Sequence, residues 1–211
     1  MATRRGRACG AALRGQSGAG AMGVTIRAFD PDRAGDTAAV LDICVRTGDA
    51  GRDATGLHPD ARALTDRYAA PYLALEPEWA FVAEADGEVV GYLVGTPDTP
   101  AFAERFAGWP SSLTAAERAA HVAALGSAIA ADETQAYPAH LHIDLLPAAQ
   151  GRGAGRMLVE TFAANLAVAG VPGIHLVVDP ANAGAQAFYP RVGFERRRSV
   201  PDGVLFVRSC G

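Results

Sequence analysis

Cysteine is scarce, with Cys9, Cys44 and Cys210 the only three in 211 residues. The number is odd, and no CxxC pair or Cys/His spacing accompanies it. A disulfide framework and a zinc site are therefore not expected. Cys44 reads as a small core hydrophobe in a reducing compartment, and a cytoplasmic location follows. His58, His121 and His175 share no ligand spacing, so no metal is expected. Apolar runs fall short of the roughly 20 residues that cross a bilayer, and no membrane association is expected. The first 22 residues hold four arginines and no acid. They lack the apolar core of a signal peptide. They read as a flexible arm, or as an extension ahead of a start at Met22. No aromatic residue lies between those arginines, which argues against a nucleic-acid tail. Residues 23–211 keep 15 of the 19 basic residues against 23 acids, a net charge of −8. Such an acidic body suits a cationic amine better than a nucleic acid.

What is present alternates between strand and helix. Val24–Phe29 reads as a strand. Asp36–Thr47 carries a helical stripe at Ala39, Val40, Ile43 and Cys44, with Asp36 as candidate N-cap. Leu64–Leu75 reads as a second helix broken by Pro71. Ala80–Ala85 and Glu88–Gly95 flank Asp86–Gly87, a hairpin signal. Residues 96–135 depart from the alternation, with Pro97, Pro100 and Pro110 and then an Ala-rich helical run over Leu113–Ala131. They read as a helical insertion covering one face. Ala139–Leu146 is the next strand, Arg152–Ala169 a long helix, Ile174–Val178 a strand and Asn182–Tyr189 a short helix. Phe194–Ser199 and Val204–Arg208 close the chain around Pro201–Asp202–Gly203. This order predicts one domain over residues 23–211, α/β or α+β, built on a mixed sheet with helices on its faces.

The stretch LLPAAQGRGAGR, residues 145–156, places Gly151, Gly153 and Gly155 between a strand and a helix. Glycine accepts positive φ and carries no Cβ to block a ligand. The first amides of a helix have no partner within it, and with the helix dipole they form an anion site fit for a pyrophosphate. Arg152 and Arg156 could add charge at its rim. A dinucleotide fingerprint fails on spacing, because Arg156 stands where its last glycine belongs, and a Walker loop needs a Gly-Lys-Ser/Thr absent here. Alone, such a turn also fits a plain strand–helix connection. Asn182 and Tyr189 are seven apart, about two helical turns and ~10.5 Å, so they share a face. Alone, they read better as a cap and a core residue.

Strand, QGRGAG and helix, then strand, NAGAQAFY and RVGF, together resemble the GNAT superfamily of N-acetyltransferases. The likeness spans Tyr137–Phe194, and earlier elements agree in order and length. The segment YPAHLHIDLLPAAQGRGAGRMLVE also resembles bacterial acetyltransferases related to the C-terminal domain of O-GlcNAcase. The resemblance implies a mostly antiparallel mixed sheet of six to seven strands. It implies acetyl-CoA as co-substrate and, as acceptor, a small-molecule amine or a protein lysine. The cofactor arm would lie between β-strands along Ile143, Leu145 and Leu146. Gln150, Gly151, Arg152, Gly153, Ala154, Gly155 and Arg156 would hold the pyrophosphate. Asn182 would bond the arm, and Tyr189 would protonate the leaving thiolate. Pro190 disfavours helix at the residue before it, which would rotate that hydroxyl.

Along AHLHIDLL, side chains alternate between the two faces. Ala139, Leu141, Ile143 and Leu145 share one, and none of them takes a proton. His140, His142 and Asp144 share the other. A buried His-x-Asp pair must be satisfied. It reads either as a structural network or as an acceptor site, with Asp144 orienting the amine and His142 relaying its proton. Asp179 precedes Pro180 and reads as a turn residue. Tyr68, Tyr72 and Trp79 read as core, or as lining of an acceptor pocket. The remaining reading is a GNAT-like binding module without acetyl transfer. A homodimer is the default assembly.

Overall fold

The computed structural model describes residues 23–57 and 60–211. The expected arm over residues 1–22, with Cys9, and His58 lie outside them. Among the described residues the order is β1 (Val24–Ala28), α1 (Asp36–Thr47), α2 (Ala61–Tyr68), α3 (Ala70–Leu75), β2 (Phe81–Ala85), β3 (Glu88–Thr96), α4 (Thr99–Gly108), α5 (Ala115–Ser127), β4 (Ala139–Leu145), α6 (Ala154–Val168), β5 (Gly173–Val178), α7 (Ala183–Phe188), β6 (Glu195–Val200) and β7 (Gly203–Ser209). The seven strands form one sheet in the order β1-β2-β3-β4-β5-β7-β6. Only β4 and β5 run parallel. This is the mixed, mostly antiparallel sheet expected.

Two cores flank it, as the alternation along β4 requires. On one face Leu158, Phe162 and Leu166 of α6 pack on Ala139, Leu141, Phe81 and Leu93. On the other, Ile43 of α1, Tyr72 of α3 and Phe102 and Phe106 of α4 pack on Val82, Tyr92 and Val94. The β2–β3 hairpin turns on Asp86 and Gly87 with φ of 51° and 84°. That pair of positive values matches the twist of the flanking strands.

Several element limits differ from expectation for identifiable reasons. Gly35, not Asp36, is the N-cap of α1. The Asp36 carboxylate instead forms a bidentate pair with Arg27 of β1, at 2.5 and 2.8 Å, which ties helix to sheet. The helix expected over Leu64–Leu75 is two helices. Asp60 caps α2 by accepting from the Arg62 N–H, and the break falls at Ala69, so that Pro71 sits in the first turn of α3, where its missing N–H costs nothing. The insertion holds two helices, not one. In α4, Asp98 caps the Ala101 N–H and Pro100 lies in the first turn; α5 opens with a Thr114–Glu117 capping box. α6 starts at Ala154, two residues later than expected, because Gly153 takes the left-handed region at φ 85°.

Candidate active site

β4 and β5 pair over two positions only, Ala139↔Ile174 and His140↔His175. Beyond them the strands separate. β4 stays antiparallel to β3 along its length, from Gly91↔Leu145 to Thr96↔His140. In such a ladder alternate residues turn both backbone groups to the same neighbour. Leu146 donates its N–H to the Val90 carbonyl, so His142 and Asp144 also face β3. Leu141, Ile143 and Leu145 therefore turn their N–H and C=O groups into the gap. Of the three residues expected along a cofactor arm, Ile143 and Leu145 face the opening. Leu146 is the exception, its amide already bonded to β3.

The mouth of the gap is the glycine loop. Gln150 donates from Nε2 to the Leu145 carbonyl at 3.0 Å, which ties the loop to the end of β4. Met157 donates to the Gly153 carbonyl. Among the described residues, none of the amides from Gly151 to Arg156 donates to another protein group. Gly151 and Gly153 have φ of 71° and 85°. Gly155 serves differently: a Cβ there would lie 3.1 Å from both Leu145 and Phe188, so its bareness lets α6 approach β4 and α7. Arg152 is exposed on the loop but does not line this opening, where Arg52 stands instead. The Arg156 guanidinium is largely committed, donating to the Arg191 carbonyl at 2.5 Å and to Glu160 at 3.3 Å. The site therefore offers an anion backbone amides and the α6 dipole first, side-chain charge second.

Two cavities of about 670 and 750 Å³ open on either side of β4's free edge. They meet at Thr47, Ile143, Asp144, Asn182 and Tyr189, which line both. The second contains the glycine loop. Asn182 caps α7, its Oδ1 accepting from the Ala185 N–H at 2.9 Å, and its amide nitrogen lies beside Gly51 of the α1–α2 loop. Tyr189 keeps helical angles, φ −59° and ψ −40°, although Pro190 follows. The chain simply tightens into a 3-10 turn over Tyr189–Val192. α7 thus ends at Phe188, as Pro190 implies, while the backbone at Tyr189 stays helical and the residue lines both cavities. Its ring packs against Phe188, Phe194 and Phe206. Burial first, then nearby Asp144, push the phenol above its usual range, so it stays protonated at neutral pH.

The first cavity is walled by α1, α2, α5, β4 and the β6–β7 turn. Asp144 Oδ2 accepts from the Tyr92 hydroxyl at 2.6 Å. Burial raises its carboxyl to about 6, and the Tyr92 bond opposes that rise. His142 does not bond Asp144. Its Nε2 lies 3.1 Å from the Tyr72 hydroxyl, and burial lowers the imidazole to about 3. Tyr68, edge-on to His142 and His121, lines this cavity, whereas Trp79 packs on Phe162 in the opposite core. Asp179 lines the cavity as well as making its turn, accepting from the Ala181 N–H. Cys44 lies beside Tyr92 and Asp144 with its thiol pushed up to about 12, first by burial; it is inert, as a core hydrophobe should be. Sequence reasoning missed Tyr92 and Thr47 altogether, and the place of Arg67 and His121 in this wall.

A family model described as "Acetyltransferase (GNAT) family" matches residues 50–194. The chain belongs to the GNAT family. Mycothiol acetyltransferase of Streptomyces griseus subsp. griseus is 32% identical over 177 residues, covering 82% of this chain and 43% of that protein. The mycothiol acetyltransferase of Streptomyces avermitilis is 30% identical over the same shares. This GNAT chain thus spans less than half the length of the curated relatives it matches. The crystal structure of SsHAT is 40% identical with a TM-score of 0.76, covering 90% of this chain and 99% of that one. PaiA N-acetyltransferase of Thermoplasma acidophilum, solved with coenzyme A, shares the fold at 13% identity and a TM-score of 0.58, over 89% and 99% of the chains. No helix among the described residues is long and apolar enough to cross a membrane.

Proposed function

We propose that this GNAT protein moves an acetyl group from acetyl-CoA to a primary amine, a small molecule or a protein lysine, by direct attack within a ternary complex. The observation that carries this is the run of uncommitted amides from Gly151 to Arg156 at the mouth of the β4–β5 gap. It fits a diphosphate, and the cavity beyond it is of a size usual for ligands. We further place the chain with the bacterial acetyltransferases related to the O-GlcNAcase C-terminal domain, on the stretch from Tyr137 to Glu160, acting in the cytosol.

Acetyl-CoA supplies the activated acyl thioester. The protein's residues do the rest. The loop amides hold the diphosphate, and Asn182 bonds the arm. The Ile143 N–H, directed into the gap, polarises the thioester carbonyl, a contact of about 3 kcal/mol in comparable sites. The acceptor enters from the cavity that holds Asp144, Asp179, Asp202 and Glu117, with Arg67 as the opposing charge. Its carboxylates attract an ammonium. The ammonium gives one proton to solvent before it reacts, and Asp144, titrating near 6 and ionised at pH 7–8, takes the second as the neutral amine nitrogen forms its new bond to carbon. The C–S bond breaks, and the protonated Tyr189 phenol gives its proton to the sulfur.

The test is a thermal shift with acetyl-CoA, followed by release of free thiol across an amine panel. Ligand at a hundredfold over its Kd adds about 2.7 kcal/mol of stability. Tyr189→Phe should retain that shift and lose at least tenfold in kcat. The chain contains no lysine, so any acetyl-lysine formed comes from the acceptor. Absence of a thermal shift, or unchanged turnover in Tyr189→Phe, rejects the corresponding part.

A further inference from the structure

On the acceptor side of β4, four polar side chains meet in a row. The Thr99 Oγ is 2.7 Å from the Pro138 carbonyl and 2.7 Å from His140 Nδ1. The Tyr72 hydroxyl is 2.7 Å from His140 Nε2 and 3.1 Å from His142 Nε2. Each hydroxyl has one proton and each neutral imidazole one N–H. The direction of the whole row is then fixed from one end. The Pro138 carbonyl only accepts, and although it already takes the Thr99 N–H at 2.9 Å, its oxygen lies 2.7 Å from the Thr99 Oγ and needs a proton between the two, so the Thr99 hydroxyl proton goes to Pro138. Thr99 can then only accept from His140, which must carry its proton on Nδ1. His140 Nε2 is left as an acceptor and receives the Tyr72 proton. The Tyr72 oxygen, its proton spent, accepts from His142, which must carry its proton on Nε2. Running the whole row backwards would turn the Thr99 proton to His140 and leave the Thr99 and Pro138 oxygens 2.7 Å apart with no proton between them, and reversing the tyrosine bonds alone would need a doubly protonated His140. That residue is buried between Tyr72, Phe102 and His175 with no carboxylate among the described residues bonded to it, and burial drives its imidazole well below the usual range.

We propose that Pro138, Thr99, His140 and Tyr72 act as positioning residues that lock His142 in its Nε2–H form, so that Nδ1 is a permanent hydrogen-bond acceptor at the amine site. No described residue bonds that nitrogen, and His142 lines the acceptor cavity. It stands on the same side of β4 as Asp144, with the Ile143 N–H directed into the gap between them in sequence. His142 thus receives an amine N–H and aims the nitrogen lone pair, while Asp144 takes the charge and the proton. This specificity role rests on the acetyl-transfer reading. The tautomer itself does not.

The experiment is long-range ¹H–¹⁵N correlation NMR on free protein labelled with ¹⁵N-histidine. His142 signals are assigned by their loss in His142→Asn. The expected pattern is a protonated Nε2 and a bare Nδ1, unchanged between pH 6 and 9. A protonated Nδ1 overturns the proposal, whether or not any amine is ever acetylated. Tyr72→Phe keeps the ring stacked on Phe102 but removes the relay hydroxyl; both His142 nitrogens should move toward tautomer-averaged shifts. Thr99→Val should also disturb them, and Thr99→Ser, which keeps the hydroxyl, should restore the wild-type shifts. His142 shifts that stay unchanged in Tyr72→Phe show that the row does not set the tautomer.

Discussion

Asp144 rests one oxygen on the Tyr92 hydroxyl in a half-buried position, and no basic side chain among the described residues is bonded to it. Its carboxyl rises to about 6 from the 3.8 of a free aspartate because burial outweighs that bond. The sign of the linkage follows. Between these values the folded protein holds a proton that the unfolded chain has released, so stability falls as pH rises through this window and the loss is complete above about 6. The cost is on the order of 3 kcal/mol. Asp144→Asn removes it, and the amide oxygen still accepts from Tyr92. Denaturation at pH 8 should therefore show the variant more stable than wild type, with the difference vanishing toward pH 4. Activity should move oppositely. Wild-type kcat/KM should decline below about pH 6, and Asp144→Asn should lose it throughout. A variant both more stable and fully active at pH 8 would leave the acid without a catalytic role. From sequence, the alternation along β4 placed His142 and Asp144 on one face. It could not show that each pairs with a tyrosine, because Tyr72 lies 70 residues from His142 and Tyr92 lies 52 from Asp144.

The glycine loop and α6 behave as one element with two distinct demands. Gly153 caps α6 at φ 85° with nothing within 4 Å of a would-be Cβ, whereas Gly155 has ordinary φ but two side chains at 3.1 Å. Gly153→Ala should thus cost about 1–2 kcal/mol through backbone strain alone. It should also weaken acetyl-CoA binding, because relaxing that angle re-aims the amides after it. Gly155→Ala should be felt through Leu145 and Phe188 instead. Denaturant midpoints and acetyl-CoA titration of both variants check this. Equal acetyl-CoA affinity in Gly153→Ala and wild type would mean the left-handed cap does not shape the cradle. The loop was legible because strand, glycines and helix follow one another within 12 residues. α4 was not. Its Pro100 reads as a break unless Asp98 is recognised as a cap, and only the turn of the chain after β3 decides between the two.

At the scale of the molecule, β1–β4 and the β5-β7-β6 group share a sheet through two residue pairs and are otherwise bridged by α6 beneath them. The ladder is therefore interrupted along the line where the cofactor arm is proposed to lie. Sequence order implied the sheet, but the place where pairing stops depends on how two strands 28 or more residues apart diverge, which no local pattern encodes. Hydrogen exchange reads this directly, because protection follows the bonding of each amide. In free protein the His142 and Asp144 amides, turned to β3, should exchange slowly. Those of Ile143 and Gly151–Arg156 should exchange faster by about a hundredfold or more. Saturating acetyl-CoA should slow the second set and leave the first unchanged, because the ligand substitutes for the missing strand and for the missing first turn of partners. Ile143 and loop amides already protected without ligand would mean that the gap is closed in solution. The open edge of β4 would then not be the place where the two halves of the substrate meet.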